Sequence, residues 1–335
     1  MGDDFTWRDG ERLVRFGAGV AAEARELLTA DGFGAYALLT TDRAAASAPA
    51  VAEGARLVLR VPHGKVDEIS AALLSDLPEA PVVALGGGRV VDTAKAVAGA
   101  RRVRCAALPT TLSGAEMTPF HRLPAGVDGA RMVRPALVVA DPALMASQPP
   151  PQLAASAMNA IAHAMEALYT PLANPVTELA ALRATALLAE GIWMDPPAGD
   201  RLALGALLAG YASGATGIAV HHALCQTIVR TAETPHAETN AVMLPHSAHL
   251  MSDRAPGPLA RLAEALGADR GDPAAVEAAL ADLAARSGHI RLATLGVTED
   301  RLPAIASAVT GHPALANTPA PPDEEELLRA LRRAY

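Results

Sequence analysis

Over the first 145 positions, apolar residues fall into two kinds of run. Residues 36–40, 56–61, 81–85, 105–108 and 136–140 are short, nearly continuous apolar stretches of strand length. Residues 18–28 and 66–74 instead repeat apolar positions at helical spacing. Short buried strands alternating with helices predict a Rossmann-like parallel sheet covered on both faces. The pattern changes at Ser147-Gln148-Pro149-Pro150-Pro151-Gln152. A proline run continues neither a helix nor a central strand, so the boundary is placed here, between an α/β domain over 1–148 and a second domain over 149–335. Beyond it, residues 153–168, 176–188, 201–215, 274–285 and 324–333 are rich in Ala and Leu with helical periodicity, which predicts an all-helical domain. Neither an internal repeat nor a run of coiled-coil heptads is present.

Composition narrows the function classes. With 335 residues, 51% apolar and 19% charged, the chain builds sizeable cores and is not disordered. Its net charge of −8 leaves no basic field for phosphate backbones or anionic lipid, so no nucleic-acid or membrane partner is expected. Cys105 and Cys225 lie in apolar runs and are expected to be buried free thiols, which suits a cytoplasmic protein. The first residues carry no secretory pattern; Met1 to Thr6 fits the loose myristoylation pattern, but Asp3 and Asp4 would repel an anionic membrane. Residues 202–220 are uncharged over nearly a membrane-spanning length. They are mostly Ala and Gly, and a tightly packed core helix is expected there.

Four constellations carry candidate chemistry. In the first, an apolar strand runs into Gly86-Gly87-Gly88 and then an amphipathic helix, which lets main-chain amides approach a pyrophosphate; a plain strand-to-helix turn would look the same. Lys95, one of only two lysines, lies about two turns into that helix, where an ion pair suits it at least as well as a phosphate. The second is Asp42, after the strand at 36–40; a carboxylate there can bind a ribose 2′-hydroxyl and repel a 2′-phosphate, and a solvated turn residue is the plainer reading. The third is the hydroxyl-rich loop Pro109-Thr110-Thr111-Leu112-Ser113-Gly114-Ala115-Glu116-Met117-Thr118, which can line a polar ligand or simply turn. The fourth is the histidine set: Asn159 and His163 stand four apart on one helix face, followed by His222, His236 and His246. Several imidazoles from different helices suggest a metal site or a proton-handling pocket.

Together these residues resemble the iron-containing alcohol dehydrogenase superfamily, most closely its maleylacetate reductase branch. The resemblance rests on the glycine block with Asp92 and Lys95, Pro109-Thr110-Thr111, Glu116-Met117-Thr118-Pro119, Met158-Asn159-Ala160-Ile161-Ala162-His163, Glu166-Ala167-Leu168-Tyr169, His221-His222-Ala223-Leu224-Cys225 and Pro235-His236-Ala237-Glu238-Thr239. It implies a dehydroquinate synthase-like architecture, with a nucleotide-binding domain, a helical domain, an active site in the cleft between them, and a homodimer. By matched position it places Asp42 at the adenosine ribose, Gly86, Gly87 and Gly88 at the pyrophosphate, and Thr110, Thr111 and Thr118 along the rest of a dinucleotide, with NAD(H) expected over NADP(H).

Metal-dependent relatives use an Asp and three His, and the matching positions are Asn159, His163, His222 and His236. A neutral amide in place of the only anionic ligand weakens the hold on a divalent ion, so neither iron nor zinc is expected, although three imidazoles can still bind zinc. Further departures are Gln226 where the family has a histidine, Val229-Arg230 for a Gly-Gly pair, Asn240 for a histidine, and a basic loop shortened to residues 126–134. The expected function is therefore an NAD(P)H-dependent reductase of a small unsaturated or keto substrate, carboxylated if Arg131, Arg134 or Arg230 meets it. Its catalytic candidates are His163, His222, His236, Asn159 and Gln226. Gln226 and the shortened loop motivate an alternative, a non-redox dehydration, cyclisation or rearrangement on the same fold. A ligand-binding scaffold without activity is the third class.

Overall fold

The computed structural model describes residues 4–269 and 272–335, so the Met1-Gly2 myristoylation pattern lies outside the described residues. The chain divides into two compact units, Met1–Ser147 and Gln148–Tyr335.

The first unit is built on a seven-stranded sheet of order β1-β2-β7-β6-β5-β3-β4. The strands are β1 (Phe5–Asp9), β2 (Arg12–Phe16), β3 (Ala37–Thr40), β4 (Leu57–Arg60), β5 (Val82–Gly86), β6 (Cys105–Pro109) and β7 (Leu137–Ala140). All five apolar runs read from the sequence form strands. Side chains alternate between two cores, as the two-residue strand period requires. Leu38, Val83, Leu85, Ala106, Leu108, Leu137 and Val139 face one, and Ala37, Leu39, Val82, Ala84, Cys105 and Ala107 the other. The helices Asp42–Ser47 and Pro49–Glu53 cover the first face through Ala44 and Val51. Val66–Leu73 and Gly88–Arg101 cover the second through Ile69, Val90, Val91, Ala94 and Val97.

The strands read from the sequence all pair in parallel, and one edge pair is added to them. β1 pairs antiparallel with β2 across a turn in which Gly10 takes a left-handed φ of 61°, while β2 runs parallel to β7. A two-residue turn can join only antiparallel strands, because a parallel pair needs a crossover. The hairpin is held by Phe5 stacked on Phe16 at 5.2 Å and by Arg12, which donates through Nε to Pro135 O at 3.1 Å.

The second unit is helical among the described residues. The proline run begins a helix: Pro150 and Pro151 occupy the first turn of Pro150–Ala167, where the missing N–H groups would have had no partner within the helix. Pro175–Trp193 packs on Gly199–Thr216 at a distance only glycine allows, since a Cβ at Gly205 would lie 2.7 Å from Leu188 Cγ. The uncharged segment breaks at Gly217, whose φ is 86°. The helices on either side, Gly199–Thr216 and Val220–Ala232, meet at 101°. Among the described residues no single helix is long and apolar enough to cross a membrane.

Candidate active site

The parallel strands β4-β3-β5-β6-β7 have the doubly wound order in which the chain leaves β3 towards one edge and β5 towards the other. The carboxyl ends of β3 and β5 therefore flank a topological switch point, the place where such sheets bind ligands. Gly86 ends β5, Gly87 is the N-cap of the following helix and Gly88 its first residue. The three glycines are dictated by local packing. Added Cβ atoms would lie 2.7 Å from Val90 Cβ at Gly86, 2.9 Å from Thr111 Cγ2 at Gly87 and 3.0 Å from Ser113 Oγ at Gly88. The loop carrying Thr110 and Thr111 is thereby drawn onto the corner, with Thr110 N–H donating to Gly86 O at 3.0 Å.

This corner suits an anion. No side chain caps Gly88–Arg101, and its first turn contains no acid, so the positive end of the helix dipole is unopposed. Arg89 sits in that first turn against the dipole's preference. The buried Nε of Arg89 and the buried Oγ1 of Thr111 have no hydrogen-bond partner, a cost that a bound phosphate or ribose would offset. These groups fit a dinucleotide. Asp42 and Arg60 stand at the carboxyl ends of β3 and β4 and form an exposed ion pair, with Arg60 Nε donating to Asp42 Oδ1 at 2.6 Å.

Lys95 and Thr118 lie deeper. Lys95 is fully buried, and its ammonium donates to Asp92 Oδ1 at 2.9 Å, Ala115 O at 2.9 Å, Phe120 O at 2.6 Å and Thr118 Oγ1 at 3.4 Å. The ion-pair reading of Lys95 holds: it ties the hydroxyl-rich loop to the glycine helix. The Thr118 hydroxyl is taken up by this knot, whereas that of Thr111, also buried, has no partner. Glu116, buried in the same loop, has no partner for either carboxylate oxygen, and burial pushes its carboxyl up to about 7.

In the helical unit the structure brings His163 and His222 together. Asn159, His163 and Glu166 share one face of Pro150–Ala167 at i, i+4 and i+7. His221 and His222 come from the first turn of Val220–Ala232. The rings of His163 and His222 stack at 4.1 Å and 22°, and His221 meets His222 edge-on at 5.1 Å. Glu166, fully buried, holds His222 twice: Oε1 accepts the His222 main-chain N–H at 3.1 Å, and Oε2 lies 2.6 Å from Nδ1. The main-chain N–H of Ala219 also points at this carboxylate, so Nδ1 carries the proton and donates to it. Nε2 of His222 is then a bare, buried acceptor with no partner.

His163 Nδ1 pairs with Ser213 Oγ at 3.1 Å. His221 is held by Ser247 Oγ and Asn240 Oδ1, both at 2.9 Å. Asn240 thus has a structural task where the family has a histidine. Burial pushes the His221 and His222 imidazoles down to about 3, with neighbouring rings adding to the effect, and lowers His163 well below the usual range. His236 opens the helix His236–Met251, is exposed, and its charge acts on His163 and His222. Gln226 is partly buried one turn beyond His222. Sequence reasoning passed over Glu166, Ser213 and His221 as site residues, although the i+7 spacing of Glu166 from Asn159 was legible.

Asn159 offers a divalent ion only a neutral oxygen, and among the described residues no three His, Cys, Asp or Glu side chains form a metal-holding group.

Comparison with known proteins settles the family. The model of the Fe-containing alcohol dehydrogenase family, C-terminal region, matches residues 153–335. The maleylacetate reductase of Sphingobium indicum is 35% identical, over 96% of this chain and 94% of its own. The chain belongs to the Fe-containing alcohol dehydrogenase family. It is an oxidoreductase of the family's maleylacetate reductase-like branch. The crystal structure of maleylacetate reductase from Agrobacterium tumefaciens is 30% identical and superposes with a TM-score of 0.85, covering 100% of this chain and 99% of its own. The fold is shared with sulfoacetaldehyde reductase from Bifidobacterium kashiwanohense, solved in complex with NAD+, at 22% identity and TM-score 0.82, over 100% of this chain and 98% of that one.

The buried imidazoles make the helical unit acid-sensitive. An unfolded histidine titrates near pH 6.5, so between about pH 6.5 and 3 the unfolded chain binds more protons than the folded one at His221 and His222, and stability falls as pH drops through that window. The expected loss is roughly 2–3 kcal/mol per ring at pH 4.5. Denaturant unfolding followed by Trp193 fluorescence in a Trp7→Phe variant checks it; equal stability at pH 7 and 4.5 would contradict it. Glu116 acts in the opposite sense in the other unit, because its carboxyl is raised by folding.

Proposed function

We propose that this chain is a nicotinamide-dependent reductase of a small, carboxylated, unsaturated or ketonic substrate, with maleylacetate the first candidate, and that it works without metal. The observation that carries the reading is the unsatisfied glycine corner at the sheet's switch point, in a chain that its maleylacetate reductase relatives match over nearly full length. The same relatives favour redox chemistry over the non-redox alternative. Asn159, a neutral amide that gives a divalent ion no anionic ligand, supports metal-free chemistry.

When bound, the reduced nicotinamide supplies a hydride to the substrate's acceptor carbon. Gly86 to Gly88, Thr110, Thr111 and Arg89 hold the phosphates, and Asp42 the adenosine ribose. His163 and His222, neutral and fixed by Ser213 and Glu166, orient the substrate and accept its hydrogen bonds. His236, open to solvent at a helix start, delivers the proton that completes the reduction and is recharged from water. Purified protein should oxidise NADH, read as loss of nicotinamide absorbance, when maleylacetate is added, and should retain that activity after exhaustive chelation. Conversion of maleylacetate with no change in absorbance would overturn the redox reading. Loss on chelation with recovery on adding iron or zinc would overturn the metal-free one.

A further inference from the structure

The carboxyl edge of the first unit carries a charge pair of which the reading above uses only Asp42. β5, β3 and β4 are consecutive parallel neighbours, with Thr40 opposite both Leu85 and Arg60. Gly86, Asp42 and Arg60 therefore lie along one edge on three successive strands. At about 4.8 Å between strands, β3 stands one spacing and β4 about two spacings from the glycine corner. An adenosine phosphate bound at the corner with its ribose at Asp42 would extend in that direction. The edge thus offers, in order, a phosphate corner, a carboxylate at ribose reach, and a guanidinium one strand further out.

The guanidinium is suited to a second phosphate. Arg60 engages Asp42 through Nε alone, and its two terminal nitrogens bond to no described residue. Asp42 is 91% exposed and Arg60 50%, so nothing packs the pair shut and water screens it. An unpaired carboxylate here would repel a 2′-phosphate. Paired with Arg60, its charge is balanced, and a planar guanidinium grips a phosphate dianion through two parallel N–H bonds. Arg60 can keep Asp42 through Nε while its terminal nitrogens take the phosphate, and Asp42 keeps the remaining ribose hydroxyl.

We propose that Arg60 is a specificity-determining residue, the group that reads the adenosine 2′-phosphate and lets this enzyme bind NADPH as well as NADH. This rests on the nicotinamide reading above. It also moves the choice of coenzyme from Asp42, which as a single residue would favour NAD(H), to the Asp42–Arg60 pair.

Titration calorimetry of the full-length protein with NADH and with NADPH, on wild type, Arg60→Ala and Asp42→Asn, tests the proposal. Wild type should bind the two coenzymes with dissociation constants within about tenfold of each other. Arg60→Ala should shift the NADPH-to-NADH ratio by about tenfold towards NADH, and Asp42→Asn should shift it the other way, as expected when one charge-assisted contact is lost or one repulsion is removed. The Arg60→Ala shift should shrink as salt rises from 0.05 to 0.5 M, because about 0.1 M salt already screens charges beyond roughly 10 Å. Thermal midpoints confirm that each variant is folded. A ratio unmoved by Arg60→Ala, with both coenzymes still binding, overturns this inference alone; failure of wild type to bind either coenzyme overturns the reading on which it rests.

Discussion

Replacing His222 by alanine lowers turnover about 10²- to 10⁴-fold, the range ascribed to one positioned acid–base or polarising group. Dinucleotide affinity stays unchanged, because the dinucleotide groups belong to the other unit. The size of the effect follows from how tightly the ring is prepared. Two hydrogen bonds to one fully buried carboxylate fix both its rotamer and its tautomer, and His163 stacks on its face. A group held in this way costs no reorganisation when substrate arrives.

Glu166→Gln separates position from tautomer. The amide keeps the shape and can still accept the His222 main-chain N–H through its oxygen, but it then turns an NH2 towards Nδ1. Nδ1 becomes the acceptor and Nε2 the N–H, so the face offered to substrate changes from acceptor to donor. Most of the His222→Ala loss should therefore appear in Glu166→Gln, in kcat more than in KM, with the thermal midpoint little changed. A Glu166→Gln enzyme with wild-type turnover would show that the tautomer is immaterial.

The largest effect on stability is expected at Lys95. Lys95→Met removes an ammonium that serves Asp92 and two main-chain carbonyls from a site with no solvent access. The methionine fills much of the volume but leaves the Ala115 and Phe120 carbonyls unpaired. It also exposes the unpartnered Glu116 carboxyl to a field without its neighbouring cation. Breaking a buried charge pair from one side costs about 3–5 kcal/mol, and partial exposure of Asp92 puts the expectation at the lower end. The loss should fall on the first unit, so calorimetry should show its transition lowered while that of the helical unit holds. Because Lys95 anchors the loop carrying Thr110 and Thr111, coenzyme affinity should fall along with it. An unchanged first transition would contradict the role given to this knot.

What the sequence disclosed followed from how uniformly each segment was patterned. β3, β5, β6 and β7 are buried on both faces, so nearly every position is apolar and the runs stand out. β1 and β2 are five-residue strands that mix Phe, Trp and Leu with Thr, Arg and Asp; such an edge hairpin resembles a polar start until its partner strand is known. The glycine corner was visible, but most of its reason was not: Gly86 meets Val90 of the adjoining helix, whereas the Cβ clashes of Gly87 and Gly88 with Thr111 and Ser113 depend on a loop more than twenty residues away. In the helical unit Asn159 and His163 could be paired by spacing alone. Ser213 lies in a helix rich in Ala and Gly, and nothing in its neighbourhood marks it as the partner of His163. Lys95, by contrast, was isolated by composition, since a chain that otherwise uses arginine keeps a lysine where a compact ammonium must fit among carbonyls.

The central claim is that the first unit binds a nicotinamide dinucleotide at the Gly86–Gly88 corner. Calorimetric titration of the wild-type protein with NADH, repeated on Gly87→Val, tests it most directly. One saturable site per chain, with a dissociation constant on the order of micromolar and lost in the folded variant, is the expected result. No saturable heat from the wild type, or equal binding by Gly87→Val, would contradict it.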